Sequence, residues 1–245
     1  MLINLQTLLN IYNLQIKNIA HVGVNNGNEV EIYKKISSNS QIFLIEPQKK
    51  IYKYLASKFS TDKNVHVINI ALGNKVGTKN LNLSDTHNGS ASLLVPTLHK
   101  DLHPEVSFKG SEKVKIEKLD NLNLKKVNFL NIDVQGYELE VLHGATESLK
   151  NIDYLIIEIS QKQLYANSPV LKDIDRFLYF HGFNRQITVF WDKNCVWGDA
   201  FYIKKNLISQ KYKVKSMIKN FLYKSNHIYN FFQNIRKIIN KTNFL

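Results

Sequence analysis

Three carboxylates and one glycine-containing loop stand where short apolar runs end. Asp133 closes the run VNFLNID, Glu158 sits in YLIIEIS, and Glu46 ends QIFLIE. A carboxylate buried without a partner costs several kcal/mol, so each of these needs a partner or a task. Neighbouring carboxylates at Asp133 and Glu158 would suit a general base, a binder of substrate hydroxyls, or a divalent-metal ligand. The plainer alternative is that either one caps a helix or pairs with a lysine. The loop reads His21-Val22-Gly23-Val24-Asn25-Asn26-Gly27-Asn28. Glycines at 23 and 27 let the backbone turn tightly against a ligand, and the following helix offers free N–H groups to an anion. Glu46 comes 23 residues after Gly23, where a carboxylate can accept both hydroxyls of an adenosine ribose. The combination points to an adenosine-type cofactor. It does not separate a nicotinamide dinucleotide from S-adenosylmethionine.

The elements that must position these residues alternate strand and helix. Apolar runs at 18–24, 41–45, 65–70, 127–132 and 154–159 read as strands, and 29–36, 48–59, 137–149 and 171–180 carry helical spacing. Strands that are apolar throughout and alternate with helices imply a parallel sheet covered on both faces. Shorter strands at 186–190 and 200–203 suggest an antiparallel edge pair, and 79–83 and 113–118 alternate as half-exposed strands do. The expected fold is therefore α/β, doubly wound and Rossmann-like. Ligands of such sheets lie beyond the carboxyl ends of the strands, at the switch point. Ala71, just past the third strand, falls on the same side. Residues 84–112, rich in His, Ser, Gly and Pro, read as a loop over the site.

Composition narrows the class. The 245 residues carry a net charge of +13, with 44% hydrophobic and 11% aromatic residues, which is globular rather than disordered. Lys204 to Leu245 holds ten Lys/Arg and no acid, leaving residues 1–203 with 23 basic against 20 acidic side chains. The charge is thus that of a near-neutral body and a basic tail, not of a nucleic-acid enzyme. Expected boundaries are an N-terminal helix at 1–17 (Leu5, Leu8, Leu9, Tyr12 and Ile16 on one face), a main domain at 18–205, and a helical tail at 206–245 with apolar stripes over 214–222 and 228–239. The tail suits peripheral contact with an anionic membrane, or packing on the body or a second copy. One cysteine, Cys195, suits a reducing compartment. No apolar run reaches 18 residues and the first residues lack a secretion pattern. The expected location is the cytoplasm, with the inner face of the membrane as the tail's alternative.

The stretches HVGVNNGNEVEIY, FLIEPQ, NFLNIDVQGYELEVLHGA, YLIIEIS and WGDAFYIKK, in this order over about residues 18–205, resemble the FkbM-type methyltransferase family. The resemblance implies a class I S-adenosylmethionine-dependent fold, usually O-methylation, often of a sugar or natural-product hydroxyl. By motif, Gly23, Asn25 and Gly27 would cradle the methionine end of the cofactor and Glu46 its ribose, while Asp133 would face the methyl-transfer site. His21 stands where many class I members place an acid that touches the cofactor's amino group, which makes Glu29 the candidate for that contact. Gln135 replaces an acid frequent in the central block.

A sugar hydroxyl is a poor nucleophile until its proton is removed. Asp133 is the first candidate for that base, followed by Glu158 and a histidine of the 84–112 loop (His87, His99 or His103). Ser90, Ser92 and Asp199 are candidates for substrate contacts, and Trp197 for either the site or an edge core. The four prolines are never adjacent, so the Asn/Asp-Pro-Pro-aromatic turn of base-amine methylation is absent. Cys195 lacks the setting of a C5-methylation nucleophile. The acceptor is therefore expected to be a glycan or small molecule rather than nucleic acid. A nicotinamide-dependent oxidoreductase and a degenerate docking module are the alternatives.

Overall fold

The computed structural model describes residues 1–84, 88–191 and 196–208. The chain divides into two units, Met1–Lys205 and Asn206–Leu245. The tail stripes, together with His87 and Cys195, lie outside the described residues.

The first unit is built on β1 (Asn18–Val22), α2 (Glu29–Ile36), β2 (Ile42–Ile45), α3 (Lys49–Lys58) and β3 (Val65–Ile68), followed later by β7 (Val127–Ile132), α5 (Glu138–His143), β8 (Tyr154–Ser160), α6 (Leu171–Phe180), β9 (Phe183–Phe190) and β10 (Trp197–Lys204). The seven strands lie in the order β3-β2-β1-β7-β8-β10-β9. β10 runs antiparallel to both neighbours, while the pairings from β3 through to β8 are parallel. All six residues of β7 are buried, as its apolar sequence requires of a central strand with helices on both faces. The chain winds outward from β1 to β3, then returns to β1's other side with β7. That reversal opens a crevice between the carboxyl ends of β1 and β7.

A second sheet of three strands, ordered β4-β6-β5, joins β4 (Ala71–Leu72), β5 (Gly77–Ser84) and β6 (Phe108–Glu117). Its inward side chains Leu81, Val114 and Ile116 pack with Ala71, Leu93 and Tyr137. β5 and β6 run longer than the alternating pattern indicates, because they pair as far as Ser84 and Phe108. The 84–112 segment is consequently less irregular than its composition implies. It holds a short 3-10 turn at Asn88–Ser90 and α4 at Leu98–Leu102. The last two strands are likewise longer than 186–190 and 200–203.

The N-terminal helix α1 (Leu5–Tyr12) is capped by Asn4, whose side chain accepts from Thr7 N at 2.9 Å. It buries Leu5 and Leu8. Asn13 ends it in the left-handed conformation, so Ile16 lies outside the helix.

Candidate active site

The crevice begins at the β1 turn. Gly23 has a φ of +81°, and a Cβ there would lie 1.7 Å from the Asp133 carbonyl oxygen, so only glycine lets the ends of β1 and β7 approach this closely. Asn25 also takes a left-handed backbone, with φ of 52°. Its N–H donates to Glu46 Oε2 at 3.2 Å, and Gln48 N–H donates to Oε1 at 2.9 Å. Glu46 is buried, and burial pushes its carboxyl up to about 7 despite these donors. Gly23, Asn25, Glu46 and Gln48 line one side of a cleft of about 620 Å³. Ile70, Ala71, Leu72, Leu81, Leu93 and Tyr137 supply an apolar slot on the other.

A second, larger cavity of about 1860 Å³, open to solvent, adjoins the first. The two share Asn25, Gly89, Asp133 and Gln135 in their linings. Asp133 and Gln135 therefore stand at the junction. Gln135 holds the carboxylates in place: its Nε2 donates to Asp133 Oδ1 at 3.0 Å and to Glu158 Oε2 at 2.9 Å. Its Oε1 accepts from the Tyr165 hydroxyl at 2.9 Å. The strand-to-helix turn gives Gln135 a left-handed φ of 55°. Glu138 Oε1 accepts from Val134 N at 3.2 Å and Gly136 N at 3.0 Å, fixing that turn from below.

Burial raises Asp133 to about 6 and Glu138 to about 7. Glu158 is raised well above the usual carboxylate range by burial, and next by the Asp133 and Glu138 charges. Glu158 and Asp133 are hydrogen bonded to each other. Of the two, Glu158 is the one that keeps a proton and donates it, leaving Asp133 the carboxylate.

Several residues with expected site roles fall elsewhere. His21 faces away from both cavities: its Nδ1 lies 3.2 Å from the Tyr33 hydroxyl, which also accepts from Asn131 Nδ2 at 2.8 Å. Burial lowers His21 to about 4, so it is a neutral core group. Glu29 contacts the Met1 amine at 3.3 Å and lines neither cavity. Gly27 is required by packing instead of ligand, since a Cβ there would meet Leu55 at 2.9 Å. Ser92 is fully buried, donating to the Gln135 carbonyl at 2.6 Å. Asp199 shares the β10 face of Trp197 and sits across from Glu158, but its carboxylate accepts from the Leu2 N–H and lines neither cavity, while Trp197 lines the larger one. Ser90 lines that cavity too, as do His99 and His103. Sequence reasoning missed Tyr165 and Glu138. The only signal for Glu138 was its place at a helix start just after Gly136.

The Methyltransferase FkbM domain, as a sequence family, matches residues 21–185. This chain belongs to the FkbM methyltransferase family. Membership decides against the nicotinamide alternative and makes S-adenosylmethionine the cofactor. Relatives are distant. The 2-O-methyltransferase NoeI of Sinorhizobium fredii is 22% identical over 166 residues, which is 64% of this chain and 68% of that protein. The hexuronic acid methyltransferase AglP of Haloferax volcanii is 39% identical over 59 residues, 22% of this chain and 25% of that protein. A crystal structure of methyltransferase FkbM from Methylobacillus flagellatus superposes with a TM-score of 0.52 at 14% identity, over 77% of this chain. The chain spans 43% of that structure, and the likeness establishes the shared FkbM fold.

The smaller cleft fits the family's cofactor. Glu46 has buried oxygens able to take a ribose diol, the apolar slot suits an adenine, and Gly23 allows backbone approach. Among the described residues, no helix is long and apolar enough to cross a membrane.

Proposed function

We propose that this FkbM methyltransferase O-methylates a hydroxyl of a sugar or glycan. The observation that carries the reading is the junction at Asp133 and Gln135, where the smaller cleft adjoins a second cavity. When bound, S-adenosylmethionine supplies a methyl carbon activated by its sulfonium. Everything else falls to the chain. Glu46 accepts the ribose hydroxyls, and the Gly23–Asn25 turn closes the methionine side. Asp133 takes the acceptor's hydroxyl proton as its oxygen engages the methyl carbon. Glu158, holding its own proton, donates to Asp133 and keeps it oriented. Gln135 positions both carboxylates and is itself held by Tyr165. The names of NoeI, a 2-O-methyltransferase, and AglP, acting on a hexuronic acid, support a sugar acceptor.

The test is incubation with S-adenosylmethionine and a panel of saccharides, followed by mass spectrometry before and after mild alkali. An ether product survives alkali and is the expected result. An alkali-labile product would mean carboxyl esterification and would overturn O-methylation of a hydroxyl.

A further inference from the structure

The described lining of the larger cavity carries four carboxyl groups, Glu105, Asp133, Glu138 and the protonated Glu158, and no Lys or Arg. One wall is aromatic. The Trp191 and Trp197 rings stack at 5.4 Å with 15° between their planes, and the His103 ring meets Trp197 edge-on at 6.0 Å. Trp191 is 62% exposed. A broad indole left in solvent at a cavity mouth is a surface awaiting an apolar partner. The C–H face of a pyranose has that character, and its hydroxyls would meet a floor rich in acceptors.

The same floor opposes an anion. Burial first, and then the charge of neighbouring carboxylates (Asp199 on Asp133, Asp133 on Glu138 and Glu158), already holds these three groups above the ordinary carboxylate range. A further negative charge beside them is repelled directly. It also favours protonation of Asp133, which removes the base. Discrimination against acidic ligands by like charge is negative selection, working on binding and on the proton-transfer step together.

We propose that the acceptor site selects a sugar bearing no carboxylate, phosphate or sulfate, seated on the Trp191–Trp197 pair with a hydroxyl toward Asp133. The inference rests on the sugar O-methyltransferase reading above and sharpens it to a substrate class. The experiment uses the full chain loaded with S-adenosylhomocysteine, probed against a glycan array holding neutral, amino, uronate, phosphorylated and sulfated sugars. Hits are then titrated calorimetrically against their acidic counterparts. Binding is expected among neutral or amino sugars, with the matching uronate weaker by about 100-fold. Trp191→Ala should weaken that binding about tenfold, with S-adenosylhomocysteine titration as the control for folding. Glu105→Lys, at the exposed rim, should narrow the gap between neutral sugar and uronate. Equal or tighter binding of the acidic sugars would overturn the proposal, as would a loaded chain that binds nothing on the array. Failure of the wild-type chain to bind S-adenosylhomocysteine would instead overturn the cofactor reading beneath it.

Discussion

The cofactor cleft and the acceptor cavity are built on different principles. The cleft is lined from positions directly after strands: Gly23 and Asn25 after β1, Glu46 after β2, Ala71 beyond β3. These are fixed by the sheet itself. The larger cavity draws more on connections: Ser90, His99 and His103 from one segment, Tyr165 from the link between β8 and α6, and Trp191 from just past β9, facing Trp197 at the start of β10. The lesson is a division of labour. Under the proposed roles, a rigid sheet edge would hold the constant reactant and connections the variable one. Asp133 and Gln135 are where the two systems meet.

The comparison can be broken from the cofactor side with the largest effect. Gly23→Ala places a methyl group against the Asp133 carbonyl and strains a left-handed backbone, with about 3 kcal/mol of stability lost. Thermal unfolding and S-adenosylhomocysteine titration should both collapse, since one residue serves sheet and cleft alike. Glu46→Gln should affect the cleft alone. Its amide turns a donor toward the Asn25 or Gln48 N–H, and cofactor affinity should fall about 30-fold while glycan binding changes little. The pH dependence follows the same residue. A ribose diol donates to the ionised carboxylate, so cofactor binding favours loss of the Glu46 proton. Wild-type affinity should rise up to about tenfold per pH unit below about 7 and flatten above it. Glu46→Gln should abolish that slope, as calorimetry at pH 5.5 and 8 would register.

The smallest effect belongs to the junction's positioning residue. Gln135→Glu removes the Nε2 donor from both carboxylates and adds a charge, raising Asp133 further above about 6. The acid limb of the pH–rate profile should move to higher pH. Turnover at pH 7 should fall about tenfold and recover in alkaline buffer, without loss of cofactor affinity. A purely structural role would lower the rate at every pH alike.

The sheet, its doubly wound character and the antiparallel edge were legible in the sequence because buried strands are apolar throughout. Helix α2 at residues 29–36 and α6 at 171–180 were legible from their spacing. The places of Glu46 and Asp133 beside the crevice were legible because they end such runs, and that of Glu158 because a carboxylate interrupts one. His21 misled because it lies inside β1, where alternation aims it at Tyr33 on α2 instead of the crevice. Asp199 misled because the Leu2 N–H, 197 positions away, takes its carboxylate, and Ser92 because a small hydroxyl in a loop serves a backbone carbonyl as readily as a ligand. Tyr165, Trp191 and the bridging role of Gln135 were illegible. They depend on contacts that periodicity does not encode: Gln135 meets Glu158 and Tyr165 across 23 and 30 positions, and Trp191, just past β9, meets Trp197.

The central claim is that Asp133 takes the acceptor proton at the junction of the two cavities. Asp133→Asn tests it in one paired measurement: S-adenosylhomocysteine affinity by calorimetry and methyl transfer under saturating cofactor. The account predicts affinity within about twofold of wild type and turnover lower by about 10³-fold. Wild-type turnover by this variant would contradict it.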